Sequence, residues 1–156
     1  MFKSKEVVVT NLIQDKYKKY YKIVYNYVKN EDDALDVVQE GAYKAILNCK
    51  KLKNIEYADT WICRIMINEA IKFLKKNNIY HDDILKCDIS TNDSYENIDL
   101  KEAFESLEVK DKAIIELRFF EDMTLEDIAY VLNENISTVK SRLYRALNKL
   151  KISLKN

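Results

Sequence analysis

Residues 137–156 carry six basic side chains and no acidic one. Within them Thr138, Ser141, Arg142, Arg145 and Lys149 recur at i, i+3, i+4, i+7 and i+11, with Lys140 and Tyr144 beside them. That spacing predicts one face of a helix. Short hydroxyl side chains at its start admit close approach, its first amides face phosphate, and Arg or Lys can pair with guanine edges. The chemistry this suits is DNA recognition in a major groove. Val139, Leu143, Leu147 and Leu150 form the opposite, apolar face and are expected to be buried.

Such a helix reads DNA only if something holds it at a fixed angle. Thr124-Leu125-Glu126-Asp127 opens a short helix like a capping box, with Thr124 placed to accept from the Asp127 amide. Leu125, Ile128, Ala129 and Leu132 are its apolar face. Asn133 falls where a left-handed turn is needed, and asparagine suits that conformation best after glycine. Ile136 is expected to plug the turn and Ser137 to cap the second helix. Upstream, Ala103, Phe104, Leu107, Ala113, Ile114, Leu117 and Phe120 keep a helical period. A generic amphipathic hairpin with a basic exterior would share the periodicity. The capped start, turn residue and all-basic outer face together favour a DNA-binding helix–turn–helix.

The first half offers two further surfaces. A helix over 58–76 places Trp61, Arg64, Ile65, Asn68, Lys72, Lys75 and Lys76 along one stripe. Cations that hold phosphate, an aromatic and an amide suit melted or single-stranded nucleic acid. A core tryptophan rimmed by solvated lysines fits the same pattern, and both readings stay open. A helix starting near Asn30, with Glu31, Asp32 and Asp33 at its positive end, has a buried stripe of Leu35, Val38, Ala42, Ala45 and Ile46. Its other face carries Asp32, Asp36, Gln39, Glu40 and Tyr43. Tyr17, Tyr20, Tyr21, Val24, Tyr27 and Val28 repeat at i, i+3, i+4, i+7, i+10 and i+11. They read as a core stripe rather than a base-stacking platform.

Composition excludes most other chemistry. Among 156 residues there is no proline and one glycine, Gly41, which argues against strand-rich folds and removes glycine-rich phosphate loops. Cys49, Cys63 and Cys87 suit neither a zinc site nor a disulfide framework, so a reducing cytoplasm is expected. No signal-peptide pattern and no run long enough to span a membrane is present. One histidine, with Asp82, Asp83 and Cys87 near His81, is too little for a metal or catalytic centre. No cofactor and no enzymatic activity are expected. Net charge is zero, but the balance is +5 over 1–78, −5 over 79–100, −6 over 101–134 and +6 over 137–156. Two basic surfaces are thus separated by acidic chain. Periodicity fails over 77–99, where polar turn-formers cluster. The expectation is an all-α chain of two small helical domains, 1–78 and 101–156, joined by a flexible acidic linker over 79–100.

The motifs resemble those of bacterial sigma factors. Residues 125–129 and 138–146, preceded without a gap by 117–124, look like the region 4 helix–turn–helix. Asp33-Ala34-Leu35-Asp36-Val37-Val38-Gln39-Glu40 resembles region 2.2, and residues 60–68 resemble regions 2.3 and 2.4. Both in this order, with only a short linker between, match the extracytoplasmic-function (ECF) group. The resemblance implies that Asp36, Gln39 and Glu40 grip the clamp helices of the RNA polymerase largest subunit. Tyr57, Trp61, Arg64, Asn68 and Lys72 would melt and read a promoter −10 element. Ser137, Thr138, Lys140, Ser141, Arg142, Arg145 and Lys149 would read the −35 element. Core RNA polymerase, promoter DNA and an anti-sigma factor are the implied partners. The sequence departs from the family at Gly41, at Asn133 in place of the turn glycine, and at Glu134. Taken without the resemblance, the residues also allow a stand-alone helix–turn–helix regulator that dimerises through its N-terminal helices.

Overall fold

The structure, a computed structural model, describes residues 4–77 and 100–155, with side chains described as far as Lys151. The expected linker, with His81, Asp82, Asp83 and Cys87, lies outside the described residues except for Leu100. The chain divides between residues 78 and 79 into two compact units. Helices make up both, and no strand occurs among the described residues.

The first unit holds α1 (Lys5–Asp15), α2 (Tyr17–Val28), α3 (Glu31–Leu47) and α4 (Ala58–Lys76). Helix α1, which no motif in the sequence announces, starts at Ser4, whose Oγ accepts from the Val7 amide, and buries Val9 and Ile13. Lys29, left-handed at φ 59°, ends α2, and Asn30 caps α3 through the Asp33 amide at 2.9 Å. The tyrosine stripe of α2 divides. Tyr20 and Tyr27 are buried with Ile23, Val24 and Val28, while Tyr17, Tyr21 and Tyr25 lie half-exposed with Tyr21 stacked on Tyr25. The buried stripe of α3 is Ala34, Val37, Val38, Gly41 and Ala45. Leu35 therefore faces solvent rather than the core. Placing Gly41 on the buried line rotates the stripe one position away from Leu35.

The presence of Gly41 within a helix has a packing cause. A Cβ at this position would lie 2.5 Å from Met66 Sδ and 3.7 Å from Met66 Cα on α4. Met66 is fully buried, so its sulfur has little room to retreat. The glycine costs α3 about 1 kcal/mol of helix propensity, and in return the Met66 side chain fills space that a Cβ would need.

A second tie runs from α2 to the first turn of α4. Asp59 accepts from Lys19 Nζ at 2.6 Å and Tyr20 Oη at 2.7 Å, with Lys16 Nζ at 3.4 Å. Burial pushes this carboxyl up. The bonds from Lys19 and Tyr20 and the charges of Lys19 and Lys16 outweigh it, and the pKa falls below the ordinary aspartate value.

The second unit holds α5 (Leu100–Glu105), α6 (Val109–Ile115), α7 (Leu125–Leu132) and α8 (Ile136–Lys155). After α6 the chain widens into a π-helical turn, Glu116–Phe120, closed by the Glu121 amide bonding Glu116 O at 3.1 Å. The extra residue in this turn breaks the 3.6-residue period. Phe120, expected on the apolar line, is consequently exposed together with Phe119. Asp122, at φ 57°, then reverses the chain, and Arg118 Nη1 donates to Met123 O at 3.1 Å.

These contacts make two variants informative. Gly41→Ala, stabilising at an ordinary helix site, should here lower the unfolding midpoint, because overpacking of about 1–3 kcal/mol exceeds the propensity gain. Denaturant melts should also find Gly41→Ala and Met66→Ala less than additive. A midpoint raised by Gly41→Ala would refute the close-packing account. For Asp59, a depressed folded pKa means stability fully present above the unfolded value near 4 and lost as pH falls through the folded value. Asp59→Asn should cost about 1–3 kcal/mol at neutral pH. Its deficit from wild type should shrink below about pH 4, as read by thermal melts across pH.

Candidate nucleic-acid interface

The helix–turn–helix forms locally as its residue types dictate. Thr124 Oγ1 accepts from the Asp127 amide at 3.0 Å and starts α7. Ile128, Val131 and Leu132 bury its inner face. Asn133 turns the chain in the left-handed conformation, φ 55° and ψ 48°. The start of α8 differs from expectation. Asn135 is the cap: its Oδ1 accepts from the Thr138 amide at 3.0 Å and from Ser137 Oγ at 2.9 Å. Ser137 already lies inside the helix, and Ile136 is its exposed first residue rather than a plug. Asparagine at 135 meets the first free amides two positions earlier than Ser137 would.

Val139, Leu143 and Ala146 are the buried line of α8, with Leu147 and Leu150 half-buried. Ser137, Lys140, Ser141, Tyr144, Arg145 and Lys149 are exposed, so the open face centres on 137, 140, 141, 144 and 145. Thr138 and Arg142 lie half-buried at its edge. Arg142 turns inward instead of standing on the outer face. Its Nη1 donates to Asp111 Oδ1 at 3.0 Å and lies 3.7 Å from Glu108 Oε2. Burial works against the guanidinium charge, but the bond to Asp111 and the charges of Asp111, Glu108 and Glu134 raise its pKa. Glu134 in the turn accepts from Lys110 Nζ at 2.7 Å. Asp111 and Lys110, partners 31 and 24 residues away in sequence, had no local signal that would reveal them.

On α4, Trp61, Arg64 and Ile65 are half-buried while Asn68 and Lys72 are exposed; Tyr57, just before the helix, is exposed too. Trp61 is thus neither a core tryptophan nor a free one. Glu69 holds Lys44 of α3 at 2.8 Å and lies 3.9 Å from Lys72. Lys44, bonded to Glu69, is raised above its usual pKa. Lys72 is lowered by Lys44 beside it, against the opposing charge of Glu69. Asp32, Asp36, Gln39, Glu40 and Tyr43 are all exposed on α3. Leu35, Tyr43 and Leu47 add large apolar surface to that helix, at 39%, 61% and 64% exposure. Among the described residues no group of His, Cys, Asp and Glu could hold a metal ion. No helix there is long and apolar enough to cross a membrane.

Comparison with known proteins agrees with this geometry. Residues 12–79 match the family Sigma-70 region 2, and residues 98–150 match Sigma-70, region 4. The chain is 41% identical over 155 residues to RNA polymerase sigma factor SigV of Bacillus subtilis (strain 168), covering 97% of this chain and 93% of that protein. It is 30% identical over 156 residues to the ECF RNA polymerase sigma-E factor of Haemophilus influenzae, covering 87% and 82%. Its fold is similar to the sigma factor RpoE of Bartonella quintana, solved in complex with the anti-sigma factor NepR. There the TM-score is 0.69 at 22% identity, over 94% of this chain and 96% of that one. Two family regions in order, and relatives matched over nearly their full length, make this chain a member of the extracytoplasmic-function group of RNA polymerase sigma factors.

Proposed function

We propose that this chain is a dissociable subunit that binds core RNA polymerase and directs initiation at promoters carrying −10 and −35 elements. The observation that carries the reading is the coexistence, in one chain with both sigma regions, of two distinct exposed faces. One is the acidic and apolar face of α3, and the other is the acid-free basic face of α8. Residues 1–78 act as region 2 and 101–156 as region 4, with 79–100 as the connection. Asp36, Gln39 and Glu40 contact the polymerase, with Leu35, Tyr43 and Leu47 beside them to supply apolar area. Tyr57, Trp61, Arg64, Asn68 and Lys72 engage the melted −10 strand, for which a half-buried tryptophan beside exposed polar groups is suited. Ser137, Thr138, Lys140, Ser141, Arg145 and Lys149 meet the −35 duplex. Two modest DNA contacts gain strength when polymerase joins them. The chain supplies no chemistry of its own, acts in the cytoplasm where polymerase is, and is held in check by an anti-sigma protein. Membership in the family supports this reading over a stand-alone dimeric regulator.

Run-off transcription with core polymerase on sheared DNA of the source genome is the test. New discrete transcripts are expected. They should fall about tenfold, the equivalent of 1.4 kcal/mol, with Asp36→Arg at unchanged helicity. Stable dimers that footprint duplex DNA alone, with no gain in initiation, would sink the proposal. In the holoenzyme, Lys140→Ala should weaken promoter binding about equally across sequences. It should also reduce the slope of log K against log salt by about 1, as titration between about 50 and 200 mM salt would reveal.

A further inference from the structure

We infer that Arg142 is a positioning residue: it fixes the seating of the recognition helix from beneath, through Asp111, and reads no base. The inference rests on the function proposed above and concerns how its −35 face is held. Asp111 is fully buried, and one of its oxygens, Oδ2, has no hydrogen-bond partner. Its other oxygen takes the Arg142 guanidinium at 3.0 Å. A buried carboxylate in that state depends on its cation, since an uncompensated buried charge is among the costliest defects a fold can carry. Arg142 is therefore committed: swinging out to a base edge would strand Asp111. Its side chain is 22% exposed, against open exposure for Lys140, Ser141 and Arg145 around it.

The geometry makes this a brace. Asp111, Glu108 and Lys110 all belong to α6 or its first preceding residue. Lys110 holds Glu134 in the turn, while Asp111 and Glu108 hold Arg142 two helical turns into α8. One short helix thus grips the helix–turn–helix at both ends of its second element's first half. Apolar packing between α6 and α8 fixes their spacing, and a charged pair with one donor geometry adds a directional constraint on rotation. The rotation it fixes is the one that decides which of Lys140, Ser141, Tyr144 and Arg145 point into the groove.

The test uses the full chain with core polymerase on a promoter found by run-off transcription, its −35 region randomised. All assays are run at a temperature where circular dichroism finds each variant folded. If the wild type initiates nowhere, the proposed function fails, an outcome distinct from any failure of the brace. With initiation in hand, Arg142→Met should flatten the preference across the whole element by several fold, without the loss of about 1 in salt slope that a phosphate contact gives. Asp111→Leu combined with Arg142→Met should recover preference that Arg142→Met alone loses, because no buried charge is then left unpaired. Asp111→Asn, nearly the same shape and out of reach of DNA, should flatten the preference as Arg142→Met does, and it carries the test if Arg142→Met does not fold. The inference is overturned if Arg142→Met removes preference at a single base pair and Asp111→Leu gives no rescue, for Arg142 then reads DNA directly. It is equally overturned if Asp111→Asn lowers the melting temperature but leaves the preference profile intact, for the pair is then merely structural.

Discussion

The Met66 side chain of α4 packs against α3 at Gly41, in space that a Cβ would occupy, and ties the two longest helices of the first unit together. The two helices carry their exposed faces on opposite errands: carboxylates and apolar side chains on α3, a tryptophan, an amide and cations on α4. On the function proposed above, these two faces engage different partners at once and need a fixed spacing between them. A close-packed helix pair transmits such spacing because interiors have few voids and little compliance. The Lys44–Glu69 bridge at 2.8 Å crosses the same junction, and Asp59 pins α2 to the start of α4. These ties add to the packing of Met66 against Gly41.

The second unit solves a similar problem with charge. Its inner helices are short, six and seven residues for α5 and α6, too short to be stable alone. Small domains bury a limited fraction of their surface. Here Lys112, Asp111 and Glu116 are buried as well, on α6 and the turn after it. Lys112 reaches Glu105 at 3.0 Å and Asp111 reaches Arg142. Such pairs give little net stability in general, but they restrict which arrangements the core accepts. A domain whose task is to present one helix at one rotation benefits from that restriction.

Local signals were legible in the sequence, and distant ones were not. Thr124 capping α7 and Asn133 in the left-handed turn depend on neighbours within a few residues, and both stand as residue type suggested. The span of α4 and the acidic first turn of α3 were equally readable. Where expectation and structure part, a competing local choice or a remote contact has decided. Asn135 rather than Ser137 caps α8 because both types cap well and only the backbone path distinguishes them. Leu35 faces solvent because a glycine, invisible to a hydrophobic pattern, belongs to the buried line. Phe120 leaves the core because a wide turn resets the helical period. Arg142 shares its spacing with true surface residues, and nothing near it in sequence announces Asp111. Helix α1 lacks a strong amphipathic pattern, and packing against the rest of its unit makes up the difference. Of the candidate interface, the faces were legible as stripes; which member of each stripe turns inward was not.

Among the described residues three bends, at Lys29, Asp122 and Asn133, use the left-handed conformation without a glycine. The conformation costs Lys29 roughly 1–2 kcal/mol, and Asp122 and Asn133 less, because short polar side chains tolerate it. Each also denies the unfolded chain the broad freedom a glycine would give it. Mechanically, these are stiff elbows rather than loose joints. The bend at Asn133 stores its angle in the backbone itself, so the recognition helix arrives at DNA already cocked, and binding spends little of its energy on straightening or searching the joint.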